Sequence, residues 1–116
     1  MQITMCKSKI HRATVTDACL NYFGSITIGK NMMEAAGLRK YEIVHVNNMS
    51  NAAHWETYVI EGDDGEICLN GCPARLFQPG DEVIILSLAM MSPFDADHHE
   101  LTTVLVDKQN NVLSVG

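Results

Sequence analysis

The segment GDEVIIL at residues 80–86 and the segment KYEIVHV at residues 40–46 repeat one pattern. Each begins with charged turn residues and continues into an apolar strand rich in β-branched side chains. A duplicated strand unit suits a small closed barrel, because closure removes the exposed edges of a short open sheet. The repeat alone is weak evidence, so the fold prediction also depends on the strands around it.

Strand and turn signals alternate along most of the remaining chain. Alternating or β-branched runs predict strands close to residues 3–5, 13–17, 25–28, 41–47, 54–61, 82–90, 102–106 and 112–115. The turn Gly62-Asp63-Asp64-Gly65 predicts that residues 66–70 pair back on residues 54–61 as a hairpin. The pattern therefore favours a mainly β chain.

Only one segment carries a helix signature. Asn31 is a favourable N-cap, Glu34 follows three residues later as in a capping box, and Gly37 provides the stop. His98 and His99 follow two aspartates and are predicted to lie in a solvated loop rather than in a metal site. We therefore predict one mainly β domain with short helices over residues 1–116.

Composition and charge exclude several classes of partner. The chain has 116 residues, of which 47% are hydrophobic and 19% charged, a balance typical of a globular domain. Its formal net charge of −6 argues against nucleic acid and anionic membranes as partners, because both require a basic face. The four cysteines lack zinc-knuckle or redox-pair spacing, and no signal peptide is evident. We expect a reduced cytoplasmic protein without a metal.

The pair Gly24-Ser25 lies between two strand-like segments, although glycine–serine pairs occur by chance in many turns. Taken singly, Tyr58 is more often a packed ring, Lys9 a solvated charge and Asn70-Gly71 a hairpin turn. The pair gains significance only when these residues are read together with His11, Tyr22 and Thr57.

In order and spacing, these segments resemble the pyruvoyl-dependent aspartate 1-decarboxylase family. The resemblance covers nearly the whole chain, through KIHRATVT (9–16), NYFGSITI (21–28), ETYVI (56–60), LNG (69–71) and GDEVII (80–85). It implies a double-psi β-barrel, a homotetramer with active sites between subunits, and a small amino acid as substrate. A maturation factor that assists cleavage of the chain is a further candidate partner.

The resemblance also implies self-cleavage at Gly24-Ser25, by attack of the Ser25 hydroxyl on the Gly24 carbonyl. The products would be a β chain of residues 1–24 and an α chain of residues 25–116, which begins with a covalent pyruvoyl group formed from Ser25. The ketone of that group would form an imine with the substrate amine and accept the electrons left by CO2, as PLP does in other enzymes, and no metal would be needed. Glycine at position 24 is expected because it lacks a Cβ and tolerates backbone conformations that other residues avoid.

Further roles follow from the resemblance. Thr57, with Asn70 nearby, would stabilise the oxyanion of self-cleavage. Tyr58 would return a proton to the substrate, because a phenol keeps its proton at neutral pH. Lys9 would pair with a substrate carboxylate. The other substrate-binding candidates, besides Thr57, are His11, Tyr22, His54, Gly71, Cys72 and Pro73.

Two positions depart from the family pattern. His54 replaces an arginine that binds a substrate carboxylate, and a lost charged hydrogen bond of about 1.5–3 kcal/mol would raise KM roughly tenfold or more. Pro73 stands in a run of alanines and removes a backbone N–H from a loop expected to face the pyruvoyl group.

The leading hypothesis is an aspartate α-decarboxylase that makes β-alanine and CO2 for pantothenate biosynthesis. Because of His54 and Pro73, a pyruvoyl decarboxylase of a different amino acid is one alternative. An uncleaved barrel with a binding or regulatory role is the other.

Overall fold

A computed structural model describes all 116 residues, and strands dominate it. The elements are β1 (Ile3–Thr14), β2 (Asp17–Cys19), β3 (Ser25–Gly29), α1 (Lys30–Ala36), β4 (Ile43–Asn48), β5 (His54–Gly62), β6 (Ile67–Asn70), a 3₁₀ helix (Cys72–Arg75), β7 (Glu82–Met91), α2 (Pro93–His98), β8 (Thr102–Val106) and β9 (Val112–Val115). Neither α-helix has the length and apolar composition needed to cross a bilayer. The predicted mainly β class with short helices is confirmed.

The nine strands form one mixed sheet in the order β2-β6-β3-β5-β4-β7-β1-β8-β9. Three of the pairings are parallel, namely β1 with β8, β2 with β6 and β3 with β5. The two repeated segments supply β4 and β7, which are antiparallel neighbours with Val46 opposite Ile85. This arrangement is consistent with the predicted double-psi barrel.

Strand β3 runs through the most buried part of the sheet. All five of its residues are buried, and Ile26 and Ile28 have no exposed surface. Burial of each isoleucine side chain contributes roughly 1.5–3 kcal/mol, so this packing holds β3 in a fixed position. Ser25 is the first residue of the strand, and its position is therefore fixed as well.

The predicted hairpin between residues 54–61 and residues 66–70 is wrong. Strand β6 pairs antiparallel with β3 and parallel with β2, and β3 lies between β5 and β6. The turn predicted at residues 62–65 is present, but the parallel pairing of β3 with β5 occupies the edge that a hairpin would use. Local turn chemistry cannot reveal a strand from elsewhere in the chain that is inserted between its two arms.

The N-terminal boundary predicted for α1 is also wrong. Gly29 occupies the N-cap position without a side-chain hydrogen bond, and Asn31 lies inside the helix. The Asn31 side chain is used in long-range contacts, since it accepts from the Gly65 N–H at 3.0 Å and donates to the Asn110 carbonyl at 2.9 Å. The predicted stop at Gly37 is confirmed, with a left-handed φ of 69°.

Two further local predictions need correction. Strand β4 begins at Ile43 rather than at residue 41, because Tyr41 has a φ of 72° that no strand residue adopts. His98 ends the helix α2 instead of lying in a loop. The helix signal was present, since Ser92 accepts from the Asp95 N–H at 3.1 Å and proline follows this cap.

Glu42 joins the β1, β4 and β7 region through several hydrogen bonds. Its carboxylate accepts from Lys7 Nζ at 2.9 Å, from the Arg39 N–H at 3.1 Å and from the Ser87 hydroxyl. Burial alone would raise the pKa of Glu42, but the hydrogen bonds from Ser87, Lys7 and Arg39 together hold it below its usual value. The folded protein therefore favours the ionised form of Glu42.

This depressed pKa predicts an acid-sensitive contribution to stability. The contribution is present above the pKa of Glu42 in the unfolded chain, about 4.5, and is lost as the pH falls through the lower folded value. We expect Glu42→Gln to make the free energy of unfolding less dependent on pH in this acidic range, measured by urea denaturation. Glu34→Gln is the control, because Glu34 is exposed; an equal effect of both changes would contradict the assignment.

Candidate active site

Ser25 and Asn70 face each other across the antiparallel pair of β3 and β6. Both residues are buried, and Asn70 Nδ2 donates to Ser25 Oγ at 3.0 Å and to Thr27 Oγ1 at 2.9 Å. The amide therefore fixes the position of the Ser25 oxygen. The structure places these two candidate residues in contact, and it adds Thr27 to the group.

Cys68 fixes the orientation of this amide. Its Sγ donates to Asn70 Oδ1 at 3.2 Å, which leaves the Asn70 NH₂ group to face Ser25. Burial, together with the nearby charges of Asp17 and Glu66, raises the pKa of the Cys68 thiol to about 11, so the thiol keeps the proton that it donates.

The sequence does not single out Cys68 or Thr27 as site residues. Their spacing is nevertheless a signal, because Thr27 lies two positions from Ser25 and Cys68 two positions from Asn70. Residues at i and i+2 of a strand share a face. This signal could be used only after Ser25 and Asn70 had been assigned to strands that pair with each other.

Gly71 packs directly against the backbone before Ser25. Its φ is +81°, and a Cβ at this position would lie 3.0 Å from Gly24 Cα and 3.1 Å from the Tyr22 carbonyl oxygen. At Gly24, by contrast, a Cβ would meet no atom within 4 Å outside the adjacent residues Phe23 and Ser25, and φ is not positive. Gly24 has no positive φ in this structure, whereas Gly71 has both a positive φ and close packing that require glycine.

We expect Gly71→Ala to destabilise the protein by about 1–3 kcal/mol through strain at its positive φ, and to displace the Gly24-Ser25 peptide. Urea denaturation measures the first effect, and the fraction of chain cleaved between residues 24 and 25 measures the second. Gly80→Ala is the matched control, since Gly80 has a φ of +93° but open space around its Cβ position. Cleavage slowed equally in both variants would contradict the contact with Gly24.

Thr57 and Tyr58 lie on β5, the parallel neighbour of β3. The paired register begins at Ile26 and Val59, so Thr57 and Tyr58 come just before it on the side of Ser25. Thr57 is buried, and its side chain makes no hydrogen bond within the chain. The Tyr58 ring packs edge-to-face against Tyr41, with 6.1 Å between centroids.

Lys9 and His11 lie farther along the sheet. Both are on β1, and β5, β4 and β7 stand between β3 and β1 in the strand order. Lys9 has no ion-pair partner within the chain, and His11 Nδ1 is buried without a hydrogen-bond partner. Strand pairing in a single chain therefore does not bring these two candidates to Ser25.

Tyr22 belongs to the loop that precedes Ser25. With Asn21 and Phe23 it lines an open cavity of about 400 Å³. Tyr22 and Phe23 are 54% and 84% exposed, which is unusual for adjacent aromatic residues.

The other candidates are His54, Cys72 and Pro73. His54 begins β5 and is exposed, with Nδ1 at 2.6 Å from Asn47 Oδ1. Cys72 is exposed. Pro73 is buried in the first turn of the 3₁₀ helix, where the backbone N–H has no intrahelical partner, so a proline costs no hydrogen bond there. Proline at this position is thus compatible with the local backbone.

Comparison with known proteins establishes the family. A family model described as aspartate decarboxylase matches residues 1–113. The chain belongs to the aspartate decarboxylase family. A protein named aspartate 1-decarboxylase from Dehalococcoides mccartyi is 53% identical over 113 residues, which cover 96% of this chain and 91% of that protein. One of the same name from Pelotomaculum thermopropionicum is 53% identical over 117 residues, which cover 99% of this chain and 89% of that protein. A third, from Lactiplantibacillus plantarum, is 51% identical over 114 residues, which cover 97% of this chain and 88% of that protein.

These matches confirm the predicted family and the predicted enzyme class, a decarboxylase that acts on an amino acid. They do not favour the alternatives of another amino-acid substrate or of an uncleaved binding barrel. In this aspartate decarboxylase family member, the contact between Ser25 and Asn70 and the close packing of Gly71 on Gly24 form the candidate self-cleavage site.

Proposed function

We propose that the protein converts L-aspartate into β-alanine and CO2, with a pyruvoyl group that it makes from Ser25. The observation that carries the proposal is the buried contact between Ser25 Oγ and Asn70 Nδ2, beside the Gly24 peptide, in a chain of the aspartate decarboxylase family. The β-alanine would serve pantothenate biosynthesis, and we expect the enzyme to act in the cytoplasm.

Self-cleavage requires only the chain and water. Ser25 Oγ forms a bond to the Gly24 carbonyl carbon, the bond from that carbon to the Ser25 nitrogen breaks, and the amine takes the hydroxyl proton. Loss of the α-proton of residue 25 then expels the Gly24 carboxylate and leaves a dehydroalanine. Water converts its enamine into a ketone and releases ammonia, which gives chains of residues 1–24 and 25–116.

The residues around Ser25 suit this chemistry. Asn70 holds the nucleophilic oxygen from one side, and Cys68 holds Asn70. The Thr57 hydroxyl, on the neighbouring strand β5, makes no competing side-chain hydrogen bond and could donate to the oxyanion formed at Gly24. A donor placed in a site that excludes water contributes more to such stabilisation than one in solvent.

A pyruvoyl group at residue 25 would supply an electrophilic carbonyl that binds the substrate amine and accepts the electrons left by CO2. Asn70 and Gly71 would lie beside it, since they already contact residues 24 and 25. Tyr58, on β5, would donate a proton to the carbon that loses CO2.

The substrate carboxylates would contact Lys9 and His54, with His11, Tyr22, Cys72 and Pro73 completing the binding surface. Lys9 is suited to this role because no acid of its own chain neutralises it. Since β1 is not a neighbour of β3, we propose that a homotetramer brings Lys9 and His11 of one subunit to Ser25 of another. The unpartnered His11 Nδ1 and the exposed rings of Tyr22 and Phe23 support such an interface. That a maturation factor assists self-cleavage stays a prediction from the sequence.

Mass spectrometry and a product assay test the proposal. The purified protein should yield two fragments, residues 1–24 and residues 25–116 with a ketone, and should release β-alanine from aspartate faster than it decarboxylates other amino acids. A single 12.8 kDa chain that gives no product would disprove it. Cleavage together with a preference for another amino acid would instead identify the specificity change that His54 and Pro73 suggested.

A further inference from the structure

We propose that His45, His54 and Glu56 form a binding site for a divalent transition-metal ion such as Zn²⁺. The three residues each offer one ligand atom, and these atoms all lie within 4.8 Å of one another. Two imidazole nitrogens and one carboxylate oxygen are a common ligand set for Zn²⁺, with the remaining position left to water or to a small anion.

The distances suit such an ion. His45 Nε2 lies 3.6 Å from Glu56 Oε1, and His54 Nε2 lies 3.5 Å from Glu56 Oε2. Ligands that are about 2.0–2.2 Å from a tetrahedral Zn²⁺ are separated from each other by roughly 3.3–3.6 Å. The two distances involve different oxygens of Glu56, and the ligand atoms all lie within 4.8 Å of one another, so side-chain rotation would bring one atom of each residue onto a single ion.

Asn47 orients one of the imidazoles. Its Oδ1 lies 2.6 Å from His54 Nδ1, and an amide oxygen can only accept, so Nδ1 carries the proton. When this imidazole is neutral, the lone pair of His54 is then on Nε2, the nitrogen that faces Glu56. A hydrogen bond of this kind to the far nitrogen is the usual support for a metal-binding histidine.

Strand pairing holds the four side chains in register. His45 is opposite Glu56 and Asn47 is opposite His54 in the antiparallel pair of β4 and β5. Since alternate residues share a face, all four side chains project from the same side of this pair. The site would be open to solvent, because the side chains of His45, His54 and Glu56 are 25%, 47% and 56% exposed.

A metal site here departs from the expectation, drawn from the sequence, that the protein binds no metal. His98 and His99 are adjacent in the sequence, whereas His45, His54 and Glu56 meet only through the register of two strands. The site shares His54 with the proposed substrate-binding surface. Its test therefore measures metal binding alone, so that the result does not depend on decarboxylation.

Calorimetric titration of the purified, chelator-treated protein with Zn²⁺ tests the site, and Co²⁺ absorption spectra report its coordination. We expect one ion per chain, and a tetrahedral Co²⁺ spectrum. Asn47→Ala should weaken Zn²⁺ binding roughly 10–100-fold, the usual cost of losing a group that orients a ligand. His45→Gln and Glu56→Gln should weaken it further. His98→Gln is the matched control, because it removes a histidine outside the cluster and should leave the affinity unchanged.

Absence of Zn²⁺ binding to the wild-type protein would overturn the proposal. Equal affinities of the wild type and His45→Gln would also overturn it, because they would place the ion elsewhere, for example on the exposed thiol of Cys72. Glu56 is exposed, so Glu56→Gln should fold normally and gives an independent answer if His45→Gln does not. Circular dichroism checks the fold of each variant.

Discussion

Replacing Ser25 by alanine is expected to leave one uncleaved chain that releases no β-alanine from aspartate. The variant lacks the oxygen that would attack the Gly24 carbonyl, and it therefore cannot form the ketone at residue 25. The fold should persist, because Ser25 contributes one hydrogen bond with Asn70, worth about 1 kcal/mol, while the packing of β3 is unchanged. Activity and cleavage should thus be lost without loss of structure.

Intact mass, labelling by a hydrazine and β-alanine release measure the three consequences of Ser25→Ala. Thr27→Val is the matched control, since Thr27 is on the same strand and accepts from the same Asn70 amide. It removes a comparable hydrogen bond but keeps the nucleophile, so cleavage should still occur. If Ser25→Ala protein were cut between residues 24 and 25 or reacted with hydrazine, another residue would have to be the source of the electrophile.

The sequence predicted the parts of the fold that depend on local patterns. The repeat in residues 40–46 and 80–86 marked two strands that prove to be neighbours, and β8 and β9 have the predicted bounds. The errors come from long-range contacts. The hairpin failed because β3 is inserted beside β5, and the cap at Asn31 failed because distant residues use its side chain.

The candidate site shows the same division. The resemblance assigned Asn70 to the self-cleavage site as a polar partner near Thr57, and the structure places its amide in contact with Ser25. No sequence pattern, however, distinguishes the need for glycine at Gly71 from that at Gly24. The difference depends on φ and on how closely two loops approach. The grouping of His45 with Glu56 likewise depends on a register that the sequence does not state.

Replacing Tyr58 by phenylalanine is expected to separate self-cleavage from turnover. Phenylalanine keeps the ring that packs edge-to-face on Tyr41, so the variant should fold, cleave after Gly24 and react with hydrazine like the wild type. It lacks the hydroxyl that would return a proton to the substrate, and loss of such a donor typically costs about 10²–10⁴-fold in rate. We therefore expect kcat for β-alanine formation to fall by this factor with little change in KM.

Steady-state assays of fully cleaved Tyr58→Phe measure this effect, with Tyr41→Phe as the matched control. Tyr41 packs edge-to-face with Tyr58, lies in a turn at a φ of 72°, and is 63% exposed, so loss of its hydroxyl should leave kcat close to that of the wild type. An unchanged kcat in Tyr58→Phe would show that another group donates the proton. A variant that stayed uncleaved would instead place the Tyr58 hydroxyl in self-processing, because β5 lies directly beside the strand that begins at Ser25.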